Sequence, residues 1–147
     1  MTITVSDFMR KKLETIEASA SVQEAAKKMK DKNVSSLVVV DVDGKPQGLV
    51  TERDLVRKVC INDVGTGTVT NKEIMSSPLI TIDSSSSSSE AADLMLLHNV
   101  RHLLVIDKHN IDKPIGMITP LDFTKYQEYP NYEVDKNAVE KMLEYYI

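Results

Sequence analysis

The chain has 147 residues and a net charge of −4, with a hydrophobic fraction of 41% and a charged fraction of 27%. These values are ordinary for a soluble globular protein and give no general reason to expect a nucleic-acid ligand. The single cysteine, Cys60, excludes an internal disulfide and a cysteine-only metal cluster. No apolar run approaches the ~18–20 residues that cross a bilayer, and the first residues lack a signal-peptide core. We therefore expect a cytoplasmic protein that is not inserted in a membrane.

The first 60 residues predict a β-α-β-β-α unit. A short strand at residues 15–16 precedes a helix over residues 22–32, in which apolar side chains recur at helical spacing. Asn33 suits the left-handed conformation that commonly ends a helix. The run SLVVVD predicts a buried strand, DVDGKP a turn with Asp-Gly chemistry, and GLV a further strand. Thr51 begins a second helix, which is predicted to continue through Val59.

The second half of the chain repeats this unit. Residues 13–41 align with residues 79–107, and residues 45–55 align with residues 113–123. The alignment predicts a strand, a helix, two strands and a helix, at residues 81–82, 88–98, 102–107, 116–118 and 120–126 respectively. Because a repeat this small seldom buries enough apolar surface alone, we expect the two copies to pack face to face.

These patterns divide the chain into repeat 1 (residues 1–66), repeat 2 (residues 67–127) and a C-terminal helical tail (residues 128–147). Residues 60–71, which are rich in Gly, Thr and Asn, are interpreted as the linker. A last helix is predicted over residues 135–146. We expect its apolar stripe to pack on the chain's own core, with a second subunit as the alternative; the stripe comprises Val134, Ala138, Val139, Met142, Leu143 and Tyr146.

Six consecutive serines, residues 84–89, would ordinarily indicate a solvated linker. In the repeat alignment, however, Ser87 and Glu90 fall on Ser21 and Glu24, so that both copies read S-x-x-E at a helix start. This spacing is typical of a capping box. In it the serine hydroxyl accepts a hydrogen bond from the backbone amide of the glutamate, and the glutamate carboxylate accepts one from the backbone amide of the serine. The serine run is therefore predicted to be a folded loop that leads into a helix.

The sharpest feature of the sequence is the pair GLVTERD and GMITPLD, at residues 48–54 and 116–122. In each, a strand is followed by a threonine and, three residues later, by an aspartate. Since T-x-x-D is itself an N-terminal cap and Pro120 suits the first helical position, a purely structural role accounts for either copy alone. A glycine within a strand, however, often marks the close approach of another backbone or a ligand. A helix start also suits a phosphate, and a carboxylate one turn into the helix can accept both hydroxyls of a ribose.

Two copies of β-α-β-β-α with G-h-h-T-x-x-D after a hydrophobic strand resemble the cystathionine β-synthase (CBS) domain family, here as a tandem pair over about residues 5–125. The resemblance implies an α+β (mixed α/β) fold in which the two repeats pack through their sheets with pseudo-twofold symmetry. It also implies two clefts that bind adenosine ligands, namely AMP, ADP, ATP or S-adenosylmethionine, sometimes with Mg²⁺. Which ligand binds, and whether one or both clefts are filled, stay open.

The resemblance also implies roles for individual residues. Asp54 and Asp122 would hold ribose hydroxyls, while Thr51 and Thr119 would cap the helix and contact ribose or phosphate. In each repeat, one segment would contact the adenine through its backbone groups and a second segment would form the opposite wall. The backbone segments are Thr15-Ile16 in repeat 1 and Thr81-Ile82-Asp83 in repeat 2. The walls are Val34-Ser35-Ser36 in repeat 1 and Val100-Arg101-His102 in repeat 2. The side chains of Ile16, Val34, Ile82 and Val100 would sandwich the base.

The two copies differ in the groups that could meet a phosphate. The first has Arg53 in its motif and serines on its wall, whereas the second has Pro120 in its motif and Arg101-His102 on its wall. The charge of a phosphate could therefore be met from either side.

These features predict an adenosine-nucleotide-binding regulatory protein that modulates another protein, whose identity is open, and that forms a homodimer. The alternative is an RNA- or DNA-binding protein that uses the basic residues of repeat 1. An enzyme is not expected, because nothing resembles a Walker loop or a nucleophile with its base. The three histidines have no carboxylates at metal spacing, so no metal site is expected on the protein alone.

Overall fold

The computed structural model describes residues 3–128 and 136–146 of the chain. They fold into two compact units: the first-repeat unit, Leu13–Leu79, and the second-repeat unit, which combines the described residues of Met1–Lys12 with those of Ile80–Ile147. In chain order the elements are α1 (Val5–Phe8), β1 (Thr15–Glu17), α2 (Val22–Lys32), β2 (Ser36–Val40), β3 (Pro46–Thr51), α3 (Glu52–Asp54), a π-helical turn (Leu55–Val59), a 3₁₀ turn (Cys60–Asn62), α4 (Asn71–Ile74), β4 (Thr81–Asp83), α5 (Ser88–His98), β5 (Leu103–Asp107), β6 (Asn110–Ile118), a 3₁₀ helix (Pro120–Glu128) and α6 (Lys136–Tyr146).

Each unit contains a three-stranded sheet of the same topology. The first strand runs parallel to the second, and the second pairs antiparallel with the third. Because parallel neighbours need a crossover connection, a helix of 11 residues joins them, α2 in the first-repeat unit and α5 in the second. The mixed α+β class and the repeated β-α-β-β order predicted from the sequence are confirmed. The packing of one sheet on the other stays a prediction.

The two crossover helices have the bounds predicted from the repeat alignment, because their caps are local. The hydroxyl of Ser87 accepts the amide of Glu90 at 3.1 Å, and the carboxylate of Glu90 accepts the amide of Ser87 at 3.4 Å, which completes the capping box. At the start of α2, the hydroxyl of Ser21 accepts the amide of Glu24 at 3.2 Å. Asn33 ends α2 with a φ of 53°, as predicted.

The serine run is folded, as the alignment predicted. The amide of Ser84 donates to the carbonyl of Ile106 at 3.0 Å, and the amide of Ser86 donates to the carbonyl of Asp83 at 3.0 Å. Ser88, which stands where the first repeat has a valine, is buried within α5.

The helical segments after the motifs differ from the prediction in type. The segment that begins at Thr51 is α-helical only through Asp54 and continues as a π-helical turn, in which the amide of Cys60 reaches the carbonyl of Leu55. The segment that begins at Pro120 is a 3₁₀ helix, which extends beyond the predicted end at residue 126. Proline offers no amide for an intrahelical bond, and the first turn is closed by i to i+3 bonding.

The short segment before each repeat belongs to the compact unit of the other repeat. Residues 3–12 belong to the second-repeat unit, where the amide of Val5 donates to Ser86 at 2.8 Å, and residues 67–79 belong to the first-repeat unit, where Val69 accepts the amide of Val22 at 2.9 Å. The compact units are therefore bounded at residues 12–13 and 79–80. The division of the sequence at residues 66–67 stays a prediction. The predicted linker is in part ordered against α2.

Apolar side chains from one face of each sheet and from its crossover helix form the core of each unit. In the first-repeat unit this core includes Leu37, Val39 and Val50, all of which are fully buried. In the second-repeat unit, α6 contributes Val139 and Met142 to the core, so its expected packing on the chain's own core is confirmed for these residues. Of the remaining predicted stripe, Leu143 and Tyr146 pack against the same core. Residues 134 and 135 and the side chain of residue 138 lie outside the described part.

The glycines of the two motifs each permit the close approach of another segment. A Cβ atom at Gly116 would lie 2.8 Å from the carbonyl oxygen of Arg10, and one at Gly48 would lie 2.7 Å from that of Ser76. Both are backbone contacts, which a side-chain rotation cannot relieve. These glycines therefore allow residues 10 and 76 to pair with β6 and β3.

We predict that Gly116→Ala lowers the free energy of unfolding by about 1–3 kcal/mol, because an extra methyl group in this tight contact forces the backbone apart. Urea unfolding of the purified chain measures the change. Gly67→Ala is the matched control, because a Cβ there meets its nearest atom at 3.7 Å, an ordinary contact distance. Equal stability of the two variants would contradict the close approach at Gly116.

Candidate functional site

Most of the predicted site residues of repeat 1 lie at one end of its sheet, which we call the motif end. Because β1 and β2 are parallel and β3 is antiparallel to β2, the first two strands begin where the third one ends. Thr15 is paired with Val38, and Ser36 is paired with Thr51. The amide of Glu52, at the start of α3, donates to the carbonyl of Ser35 at 3.0 Å and joins the wall to the motif.

Within the first motif, the aspartate and the threonine bind each other. Oδ2 of Asp54 accepts the amide of Thr51 at 3.0 Å and its hydroxyl at 3.2 Å, while the hydroxyl accepts the amide of Asp54 at 3.1 Å. Oδ1 lies 3.2 Å from Nζ of Lys58 and accepts the hydroxyl of Ser76 at 3.4 Å. The predicted N-terminal cap is therefore present, and it uses one of the two carboxylate oxygens of Asp54, Oδ2. The other oxygen faces polar donors, and the side chain keeps 11% of its surface exposed.

In the second motif the carboxylate binds its threonine in the same way, but the other partners differ. Oδ2 of Asp122 accepts the amide of Thr119 at 2.9 Å and its hydroxyl at 3.2 Å. The amide of Asp122 donates to the carbonyl of Thr119 at 3.0 Å. Oδ1 accepts Nε of Arg10 at 3.0 Å, and the side chain of Asp122 is completely buried. Arg10, which is 112 residues away in sequence, thus forms an ion pair with the motif carboxylate.

The apolar residues proposed to sandwich a base divide into two kinds. Ile16 and Ile82 are buried in the cores of their units, whereas Val34 and Val100 are partly exposed and pack against those cores from the side. The valines are therefore the better placed of the four to contact a ligand. Ser35 and Thr15, at the motif end of the first-repeat unit, are exposed.

The predicted phosphate-binding cations have different surroundings. Arg53 is exposed on α3. Arg101 is exposed, but its guanidinium lies 5.2 Å from the ring centroid of Tyr146 in α6, in a cation–π contact. The adjacent His102 is half-buried. In the second-repeat unit, the motif aspartate Asp122 is contacted by the guanidinium of Arg10, whereas that of Arg101 contacts Tyr146.

Sequence reasoning missed Arg10, Lys58 and Ser76, which contact the motif carboxylates. A signal for two of them exists, because residues 4–10 (TVSDFMR) align with residues 70–76 (TNKEIMS) when the repeat offset is extended toward the N-terminus. That extension places Arg10 on Ser76, after a methionine in both copies. The contact of Lys58 with Asp54 follows from i, i+4 spacing on a helical segment.

Asp83 is the one predicted site residue that the structure places at the far end of its strand. Its carboxylate accepts the amide and the hydroxyl of Ser85, at 3.0 and 2.7 Å, and the amide of His109 at 2.8 Å. His109 belongs to a two-residue turn between β5 and β6, in which Lys108 and His109 both have positive φ. The carboxylate of Asp83 therefore stabilises a turn that lacks glycine, and the hairpin extends β6 well before its predicted start at residue 116.

These donors determine the protonation of Asp83. The hydrogen bonds from the amide and then the hydroxyl of Ser85, followed by the amide of His109, lower the pKa of Asp83 to about 2. In the unfolded chain an aspartate has a pKa of about 3.9. The native state therefore binds fewer protons than the unfolded state between these two values, and ionised Asp83 stabilises the fold above them.

We predict that the stabilisation from Asp83 is fully present above about pH 4 and is lost as the pH falls toward 2. Chemical unfolding at several pH values in this range should show a weaker pH dependence for Asp83→Ala than for the wild-type chain. The matched control is Asp112→Ala, which removes an exposed aspartate from the same hairpin. An unchanged pH dependence in Asp83→Ala would contradict the prediction.

The fold and the repeated motif define a protein with two CBS domains. The model of the CBS domain family matches residues 5–60 and 72–129, so the chain belongs to this family. The tandem arrangement inferred from the sequence is thereby confirmed. Residues 61–71, between the two matches, belong to the first-repeat unit.

Several known proteins are similar to the chain. An uncharacterised protein of Methanopyrus kandleri is 32% identical over 127 residues, which cover 86% of this chain and 64% of that protein. The CBS domain pair of protein MJ0100 is 26% identical in sequence, with a TM-score of 0.74 over 87% of this chain and 98% of that one. Its crystal structure is a complex with 5′-methylthioadenosine and S-adenosylmethionine. A hexameric CBS-CP12 protein from bloom-forming cyanobacteria is 27% identical with a TM-score of 0.79, over 96% and 83% of the two chains.

The chain spans 64%, 24% and 31% of the lengths of three curated relatives that it matches. Within the described residues, none of the helices combines the length and the apolar character needed to cross a membrane. The same residues contain no cluster of three or more His, Cys, Asp or Glu side chains that could hold a metal ion.

Proposed function

We propose that the chain is a regulatory protein that binds adenosine ligands at the motif ends of its two sheets, in the clefts that the family resemblance implies. The observation that carries this proposal is the duplicated motif aspartate. Each aspartate is held by its own threonine at the end of a strand, with its second oxygen directed at polar donors. The complex of the similar MJ0100 pair with 5′-methylthioadenosine and S-adenosylmethionine supports an adenosine-type ligand.

In this proposal, Oδ1 of Asp54 and of Asp122 accepts the hydroxyls of the ribose. Charge-assisted hydrogen bonds of this kind contribute roughly 1.5–3 kcal/mol each. Val34 and Val100 contact the adenine together with backbone groups of β1 and β4, and Ser35, Ser36 and His102 complete the walls. Ile16 and Ile82 support these surfaces from the core, and Asp83 acts through the position of β4.

The expected strength of binding fits a sensor. An AMP-sized ligand at roughly 0.3 kcal/mol per heavy atom gains about 7 kcal/mol, which corresponds to a dissociation constant in the micromolar range. Such a ligand exchanges freely and reports its own concentration. AMP, ADP, ATP and S-adenosylmethionine are the candidates, and Mg²⁺ would accompany the di- or triphosphate by binding to its oxygens.

The protein would act by binding and not by catalysis. Ligand binding can bias the chain toward one state only by as much as its affinities for the two states differ. A partner protein would then respond to that state. We further propose a cytoplasmic homodimer, an expectation from the CBS family; the hexameric state of the similar CBS-CP12 protein supports assembly into an oligomer.

Thermal unfolding with and without AMP, ADP, ATP or S-adenosylmethionine tests the proposal. We expect at least one ligand to raise the melting temperature of the wild-type chain, because a ligand that binds only the native state stabilises it. Asp54→Asn and Asp122→Asn should each reduce this shift, and the double variant should abolish it.

The chain offers a matched control for the loss of a cap. Thr4 and Asp7 form a third T-x-x-D cap, in which Oδ2 of Asp7 accepts the amide of Thr4 at 2.8 Å and its hydroxyl at 3.3 Å. Asp7→Asn should lower stability as the other variants do but leave the ligand-induced shift intact. A shift that survives in the double variant would exclude the aspartates as the ribose acceptors.

A further inference from the structure

The two motif aspartates differ in what lies on the oxygen that a ribose would use. In the second-repeat unit, Oδ1 of Asp122 accepts Nε of Arg10 at 3.0 Å. At the equivalent place in the first-repeat unit, Oδ1 of Asp54 accepts the hydroxyl of Ser76 at 3.4 Å. At this backbone position a guanidinium in one unit thus corresponds to a neutral hydroxyl in the other, where the cation near Oδ1 of Asp54 is Lys58 at 3.2 Å.

This correspondence is structural and not only a matter of sequence alignment. The amide and the carbonyl of Arg10 both pair with Met117 of β6, each at 2.9 Å. Those of Ser76 pair in the same way with Leu49 of β3, at 2.8 and 3.0 Å. The two side chains therefore start from equivalent backbone positions beside the third strand of each sheet, and only their chemistry differs.

The arginine closes access to its carboxylate. Oδ2 of Asp122 accepts two donors from Thr119 and Oδ1 accepts the N–H of Arg10 Nε, so a sugar diol that binds Oδ1 competes with the guanidinium. The side chain of Asp122 has no exposed surface, whereas that of Arg10 is 45% exposed and that of Asp54 keeps 11%. A diol can therefore reach Oδ1 of Asp122 only when the guanidinium moves aside.

The guanidinium cannot move far when it leaves Asp122. Because both backbone groups of Arg10 are bonded to β6, the side chain turns about a fixed Cα and stays within its own length of the site. Lys58 in the first-repeat unit is in a different position, because its Nζ also donates to the carbonyl of Ile74 at 2.8 Å and keeps that partner when Asp54 accepts a ligand.

We propose that Arg10 makes the second-repeat site selective for anionic nucleotides over uncharged nucleosides, an inference that rests on the proposed function. A ligand that carries a phosphate pairs with the displaced guanidinium through charge-assisted hydrogen bonds. An uncharged nucleoside breaks the ion pair of a buried carboxylate and offers the guanidinium no anion in return. The first-repeat site, with Ser76 in this place and with Lys58 still bonded to the carbonyl of Ile74, should discriminate less.

The test isolates the second-repeat site by using the full-length chain with Asp54→Asn. Calorimetric titration with AMP and with adenosine at constant ionic strength should show AMP binding at least about tenfold more tightly, the ratio expected for one net charge-assisted interaction. Adding Arg10→Gln, which keeps a polar side chain, should bring the two affinities to within about threefold of each other by tightening adenosine and weakening AMP.

Two further variants separate charge from packing. Arg10→Lys retains the cation and should keep most of the preference for AMP. Lys11→Gln removes an exposed basic residue next to Arg10 and should leave the ratio of affinities unchanged. Circular dichroism and thermal unfolding verify that each variant is folded before its titration is interpreted.

The outcomes distinguish this inference from the proposed function. If AMP and adenosine bind the Asp54→Asn chain with a ratio that Arg10→Gln does not alter, the selectivity assigned to Arg10 is wrong and the proposed function stands. A site that binds either ligand only after Arg10→Gln also contradicts the inference, since AMP should enter unaided. If AMP binds the wild-type chain but neither the Asp54→Asn chain nor its Arg10 variants, the second-repeat site takes no ligand; the inference then fails, and the proposed function stands for the first-repeat site alone. The absence of any binding to the wild-type chain would overturn the proposed function and this inference together.

Discussion

One carboxylate oxygen of each motif aspartate is bound to the threonine three residues before it, and the candidate sites depend on this cap. The bond fixes the side chain at the end of the third strand, so that its second oxygen has a defined direction. Because the cap needs only one oxygen, the same residue can stabilise the first helical turn and accept a ligand. Structure and function are therefore not competing explanations of T-x-x-D. The third copy of the cap, at Thr4 and Asp7, shows that the motif can also serve the fold where no ligand site is inferred.

The second oxygen receives its partners from segments that lie far away in the sequence. Gly116 and Gly48 have no Cβ, and so residues 9–10 and 75–76 approach β6 and β3 closely. This approach places Arg10 on Asp122 and Ser76 on Asp54. The two copies of the motif are nearly the same, but the cation beside the second oxygen differs: Lys58, four residues on in the same helical segment, for Asp54, and Arg10, from a distant segment, for Asp122. A duplicated fold has in this way acquired two candidate sites with different electrostatics.

Such a difference suits a regulatory protein. Two sites of unequal selectivity can respond to two ligands, or to one ligand at two concentrations, without any change in the fold. The C-terminal helix adds a further difference, because the ring of Tyr146 in α6 packs against Arg101, a residue of the candidate second-repeat site, and its hydroxyl donates to the carbonyl of Met95 at 3.0 Å. The first-repeat unit contains no counterpart of α6 among its described residues.

The sequence by itself determined the duplicated unit, the bounds of α2 and α5, the folding of the serine run and the position of both motif aspartates. Each of these depends on hydrogen bonds or apolar spacing within a few residues, and such local patterns can be read along the chain. Only the tertiary structure decided that Asp83 stabilises the turn between β5 and β6, that the four-residue helices α1 and α4 join the unit of the other repeat, and that Arg10 binds Asp122. A helix of one turn carries too little periodicity to be recognised, and a contact across 112 residues depends on how the backbone is paired, which no local pattern encodes.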